Sequence, residues 1–120
     1  MPAGFTALDA GPKTVAAVAD LAATAWTVVW NGPFGLSEVP AFAFGTAAIA
    51  AALAPLHAAR GVTTIVGGGH SVSAVNAAGL GDGFSHVSTG GGATLELLEG
   101  RVLPGVVALE EGPGLAGVCD

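Results

Sequence analysis

Three times along the chain a short strand-like run stops in glycine and a helix-forming stretch follows. Thr27-Val28-Val29-Trp30 runs into Asn31-Gly32-Pro33, Val62 to Val66 runs into Gly67-Gly68-Gly69, and Ser85 to Ser88 runs into Gly90-Gly91-Gly92. Strands this short, separated by helical segments, are read as parallel βαβ units rather than hairpins. The expected fold class is α/β, a three-layer sandwich with a short parallel sheet, right-handed crossovers and helices on both faces. Helices are expected over Lys13 to Ala25, from Glu38 or Val39 through Ala59, over Ser71 to Ala78 with Ser71 or His70 near the N-cap, and over Ala93 to Glu99. Gly61, Gly79 and Gly100 stand where helix-ending glycines belong. Val102 to Leu109, interrupted by Pro104-Gly105, reads as a covering segment or edge strand. Residues 1–109 are read as one domain and 110–120 as a flexible tail.

Charge narrows the function classes. Lys plus Arg number 3 against 9 Asp plus Glu, for a net charge of −6. So few cations leave no electrostatic footprint for a nucleic-acid backbone or an anionic membrane surface. The single cysteine, Cys119, excludes an internal disulfide framework and a cysteine-based zinc site. His57 and His86 show no ligand spacing and are expected to pack or face solvent. The stretch Val39 to Ala59 is uncharged, yet Pro40, Gly45, Pro55 and His57 and its weakly apolar alanines argue against a membrane span. A cytoplasmic protein with no membrane partner is the expectation, and no signal peptide is evident.

In an open parallel sheet, ligands bind beyond the carboxyl ends of the strands, where loops lead into helix N-termini. All three glycine loops belong to that edge. Glycine lets the backbone take positive φ and approach a ligand closely, and clustered N–H groups at a helix start favour an anion. The plainer alternative is that these glycines serve only tight strand–helix packing. Neither triplet has the Gly-Lys-Ser/Thr ending of a P-loop or the Gly-x-Gly-x-x-Gly dinucleotide fingerprint. Residue type alone therefore reaches an anion-binding α/β domain and stops.

At these same positions the sequence resembles the phosphoglycerate kinase family, in its C-terminal, nucleotide-binding part. The motifs are Trp30-Asn31-Gly32-Pro33, Phe44-Gly45-Thr46, Gly67-Gly68-Gly69-His70, Ser85 to Ala93, Leu95 to Gly100 and Leu103 to Val106. Upstream, Gly4-Phe5 and Leu8-Asp9-Ala10-Gly11-Pro12-Lys13-Thr14 look like the stretch that precedes the Trp-Asn-Gly-Pro strand. The likeness runs from about Pro2 to Leu109 and implies a partial Rossmann-like nucleotide domain binding ATP or ADP. By the resemblance, Asn31 would hydrogen-bond the phosphates, Pro33 would wall the base and ribose, and Glu38 would accept from the ribose hydroxyls. Gly68 and Gly69 would let the chain pass close to the phosphates, with the Ser71 N–H at a helix start. Gly90, Gly91 and Gly92 would offer N–H groups to the phosphoryl group in flight, where charge develops. Read without the motifs, Glu38 is a solvated helix-start carboxylate and Asn31 a turn former.

Two departures carry expectations of their own. His70 stands where the family has an aspartate that holds the nucleotide's magnesium, and an imidazole is a poor ligand for that hard cation. Magnesium is therefore expected to bind weakly. The family enzyme is also a longer, two-domain protein, whose other parts supply the phosphoglycerate site and more of the nucleotide pocket. Two readings follow. The chain is part of an enzyme that interconverts 1,3-bisphosphoglycerate and ADP with 3-phosphoglycerate and ATP, needing a complementing N-terminal chain. Or it is a truncated, inactive product with weak nucleotide binding.

Overall fold

A computed structural model describes residues 2–110. Three parallel strands, β1 (Thr27–Asn31), β2 (Thr63–Gly67) and β3 (His86–Val87), lie in the order β1-β2-β3. Thr27 faces Thr63 and Asn31 faces Gly67, so the first two strands end together. Helix α1 (Pro12–Thr24) precedes β1; α2 (Phe44–Leu53) and α3 (Pro55–Arg60) cross from β1 to β2; α4 (Gly69–Ala77) crosses from β2 to β3. Helices α5 (Gly92–Leu98) and α6 (Pro104–Glu110) follow. This is the α/β class with the short parallel sheet that the punctuation predicts.

The crossovers step in one direction, and right-handed connections then put α2, α3 and α4 on a single face. Alternation along the strands agrees: Trp30 and Val66 are buried in one cluster with Ile49, Leu53, Val75 and Phe84. Val29, one residue out of phase with Trp30, points to the opposite face and is 42% exposed. Trp30 anchors the core through tilted contacts with Phe34 and Phe84, while its indole N–H donates to Gly32 O at 2.6 Å. The largest apolar residue of the core thus also shapes the loop that leaves β1.

Each helix boundary has an identifiable chemical cause, and three differ from expectation. The long helix expected from Glu38 or Val39 to Ala59 is instead a 3-10 turn (Pro40–Phe42), α2 and α3. Asp9 explains the late start: its two carboxylate oxygens accept from Gly45 N–H at 3.0 and 3.1 Å, and Oδ1 also accepts from Ala10 N–H at 2.8 Å. A carboxylate at the positive end of a helix is favoured, so α2 begins where Asp9 reaches it. Pro55, lacking an N–H, divides α2 from α3. Helix α4 starts at Gly69, two residues before the expected Ser71, with Gly68 as N-cap at φ 84° and His70 and Ser71 in its first turn. Val102 to Leu109 is no strand; Pro104 opens α6 at its first position, where a missing N–H costs nothing. Gly61, Gly79 and Gly100 do take positive φ at helix ends. The expected tail from residue 110, with Cys119, lies outside the described residues apart from Glu110, which ends α6.

Ser71 Oγ is buried without a hydrogen-bond partner. An orphan hydroxyl costs free energy and serine is a weaker helix former than alanine. Ser71→Ala is therefore expected to stabilise the chain by about 0.5–1 kcal/mol in urea unfolding. A loss of stability would mean that the hydroxyl has a partner after all.

Candidate functional site

Parallel strands that end together bring their exit loops to one rim, and a single side chain ties the three loops there. Asn31 closes β1, and its Nδ2 donates to Gly91 O at 3.1 Å, across 60 residues of sequence. A Cβ on Gly68 would lie 2.8 Å from Asn31 Oδ1 and 3.3 Å from Gly32 N. A Cβ on Gly67 would lie 3.4 Å from Asn31 Nδ2 and 3.7 Å from Ser88 Cβ. At Gly68 only glycine permits that approach, while a Cβ at Gly67 would make ordinary contact, so Asn31, Gly68 and Gly91 meet around one point rather than on scattered faces.

Gly68 and Gly91 also have positive φ, 84° and 48°, and are the N-caps of α4 and α5. Gly69 and Gly92 open those helices and have open space where a Cβ would be. The Ser71 N–H belongs to the first turn of α4. The amides of the Gly91 loop are not all free: Gly90 N–H donates to Ser88 Oγ at 3.2 Å. Ser88 Oγ in turn lies 3.1 Å from Thr94 Oγ1, and a Cβ on Gly90 would sit 2.9 Å from that hydroxyl. Ser88 and Thr94 thus hold the third loop in shape. The sequence motifs single out neither residue; hydroxyls flanking three glycines are the available signal.

Pro33 is exposed and lines a groove of about 370 Å³ beside β1, with Val28, Trp30, Phe34 and Leu53 among its walls. Glu38 and His70 come together: Nδ1 of the imidazole lies 2.6 Å from Glu38 Oε1. With Ser37, Ser73, Ala74 and Ala77 they line a second hollow, of about 210 Å³, against α4. Cations are scarce here. Arg101 is engaged beyond α5, with Nε 2.9 Å from Glu99 Oε2, and Arg60 ends α3. Lys13, the third cation, lies in the first turn of α1, and the groups gathered around Asn31 are backbone N–H groups and helix starts.

At the opposite ends of the strands, His57 and Ser85 do structural work. Ser85 Oγ accepts from Thr64 N–H at 2.9 Å, and Ser85 N–H donates to Thr64 Oγ1 at 3.1 Å. His57 Nδ1 lies 2.9 Å from Ser85 Oγ and 3.1 Å from Val62 O. These contacts start the β2–β3 ladder, and His57 is a packing residue. Among the described residues no helix is long and apolar enough to cross a membrane.

Comparison with known proteins matches the geometry to a family. The sequence model for phosphoglycerate kinase matches residues 1–101. The phosphoglycerate kinase of Chloroflexus aurantiacus is 60% identical over 111 residues, which is 92% of this chain and 28% of that protein. The cytosolic enzyme of Triticum aestivum is 57% identical over the same length, again 92% of this chain and 27% of the relative. Among solved structures, phosphoglycerate kinase from Coxiella burnetii aligns with a TM-score of 0.70 at 47% identity, over 79% of this chain and 24% of that one. The Pyrococcus horikoshii enzyme aligns with a TM-score of 0.75 at 35% identity, over 86% and 24%. The chain thus spans little more than a quarter of the length of the curated relatives it matches. Glycine loops joined through Asn31, ordered as the motifs predict, belong to a chain of the phosphoglycerate kinase family.

Proposed function

We propose that this chain carries the phosphate-holding part of a phosphoglycerate kinase nucleotide site, with ADP and ATP as its ligands. The observation that carries the reading is the meeting of the β1, β2 and β3 exit loops at Asn31. In this role the N–H groups at Gly69, Ser71, Gly91 and Gly92 face the polyphosphate, and Pro33 borders the nucleoside. Asn31 divides its side chain between holding Gly91 O and meeting the phosphates. The reaction is reversible phosphoryl transfer between 1,3-bisphosphoglycerate and ADP. Such transfer depends on positioning and on neutralising developing charge, so donors aimed at the rim favour it.

The rest of the apparatus is proposed to come from the part of the relatives that this chain does not span. Among the described residues, strand β1 pairs with β2 alone, and its outer edge lies beside the 370 Å³ groove. An open parallel edge with an apolar groove is a surface for further strands to cover. A second reading, nucleotide binding without turnover by this chain alone, is favoured by a total of only 3 Lys and Arg. A coupled assay with ADP and 1,3-bisphosphoglycerate separates the two. The chain alone is expected to give no turnover, and addition of the remaining segment of the Chloroflexus aurantiacus relative is expected to restore it. Turnover by the chain alone would contradict the second reading, and none on mixing would count against complementation.

A further inference from the structure

The carboxylate beside the start of α4 is not free. Glu38 Oε1 accepts from His70 Nδ1 at 2.6 Å, and the pair bridges the 36–39 loop to the first turn of α4. Serine hydroxyls and alanine methyl groups make up the rest of that hollow. Asp9, which reaches the N-terminus of α2, is spent on Gly45 N–H and Ala10 N–H. Among the described residues no three His, Cys, Asp or Glu side chains gather to hold a metal ion. Magnesium takes hard oxygen ligands in octahedral geometry. With Oε1 taken by the imidazole, Glu38 keeps only Oε2, beside a nitrogen ligand that this hard cation disfavours, so the residues present do not fit the magnesium that the family implies.

We infer that the ligand of this rim is the metal-free nucleoside diphosphate, and that the His70–Glu38 pair determines that choice. The inference rests on the nucleotide reading above and narrows it. A polyphosphate approaching the Gly68-Gly69 turn meets an imidazole and an already bonded carboxylate, rather than an open carboxylate that a cation must screen. Magnesium then gains nothing at the protein while it sequesters free diphosphate in solution.

Calorimetric titration of the full chain with ADP, in EDTA and in magnesium, tests this. For the wild type, affinity in magnesium is expected to be equal to that in EDTA or weaker. For His70→Asp, which frees Glu38 and adds a carboxylate, magnesium is expected to tighten binding by about tenfold. A wild type that magnesium tightens as much as it tightens His70→Asp would overturn the inference and leave the nucleotide reading standing. Absence of ADP binding by the wild type in both buffers would overturn the nucleotide reading and this inference with it. Manganese added alone, followed by the spin-resonance signal of the free ion, gives a readout independent of nucleotide. The wild type is expected to leave the signal intact and His70→Asp to deplete it; depletion by the wild type contradicts the misfit at position 70.

Discussion

Gly68→Ala is expected to weaken ADP binding by at least about tenfold while leaving helix content by circular dichroism near wild type. Two penalties act together. The residue has φ 84°, a region that an alanine enters at a cost of about 1–3 kcal/mol. Its new Cβ would press to 2.8 Å on Asn31 Oδ1 and 3.3 Å on Gly32 N. Asn31 has little freedom to yield, because its Nδ2 is donating to Gly91 O. Moving it loosens the third loop as well, so a methyl group in the second loop disturbs all three. Gly69→Ala is the contrast: nothing lies within 4 Å of its Cβ position and its φ is ordinary, so its thermal midpoint is expected to match wild type. Equal ADP affinities for Gly68→Ala and wild type would show that the loop approach is irrelevant to binding.

The second large effect is on stability. A Cβ on Gly35 would lie 2.5 Å from Asp9 Oδ1, 2.7 Å from Phe42 O and 2.8 Å from Leu8 O. Two of these are backbone atoms, and Leu8 O is already held by Leu36 N–H at 3.0 Å. Nothing nearby gives way cheaply, so Gly35→Ala is expected to cost about 3 kcal/mol in urea unfolding. Asp9→Ala removes the carboxylate that satisfies the start of α2 and is expected to cost about 1–2 kcal/mol. The double variant should lose less than the sum, because removing the Asp9 carboxylate relieves the tightest of the three contacts. A Gly35→Ala cost below about 0.5 kcal/mol, the usual scale of a surface change, would mean that this junction is loose.

The fold's frame was legible because it is written locally. Thr27 to Trp30 and Val62 to Val66 announce strands by β-branching, and glycine marks where each stops. What was not legible depends on residues distant in sequence. The start of α2 at Phe44 is decided by Asp9, whose carboxylate captures Gly45 N–H from 36 residues away. No window centred on Glu38 contains that information. The division at Pro55 is written in the sequence, but the high helix propensity of the alanines on either side masks it. Pro104-Gly105 reads as an interruption until the proline is seen at the first turn of a helix rather than within one.

The candidate site divides the same way. Asn31, Gly68 and Gly91 were identified from glycine loops and motif order, while their contact follows from strand register, which pairs Asn31 with Gly67. His70 stood out as a departure from the family pattern. That it would bond Glu38, 32 positions away, required the folded chain. Ser88 and Thr94 looked like ordinary polar residues flanking glycines, and only their 3.1 Å contact shows that they brace the loop.

Amide chemical shifts recorded during a titration with ADP test the shared rim most directly. The N–H resonances of Gly32, Gly68, Gly69, Gly91 and Gly92 are expected to move together along one binding curve, while those at the His57–Ser85 end of the sheet stay still. Shifts confined to one loop, or spread evenly over both ends of the strands, would contradict a single phosphate-holding hollow built around Asn31.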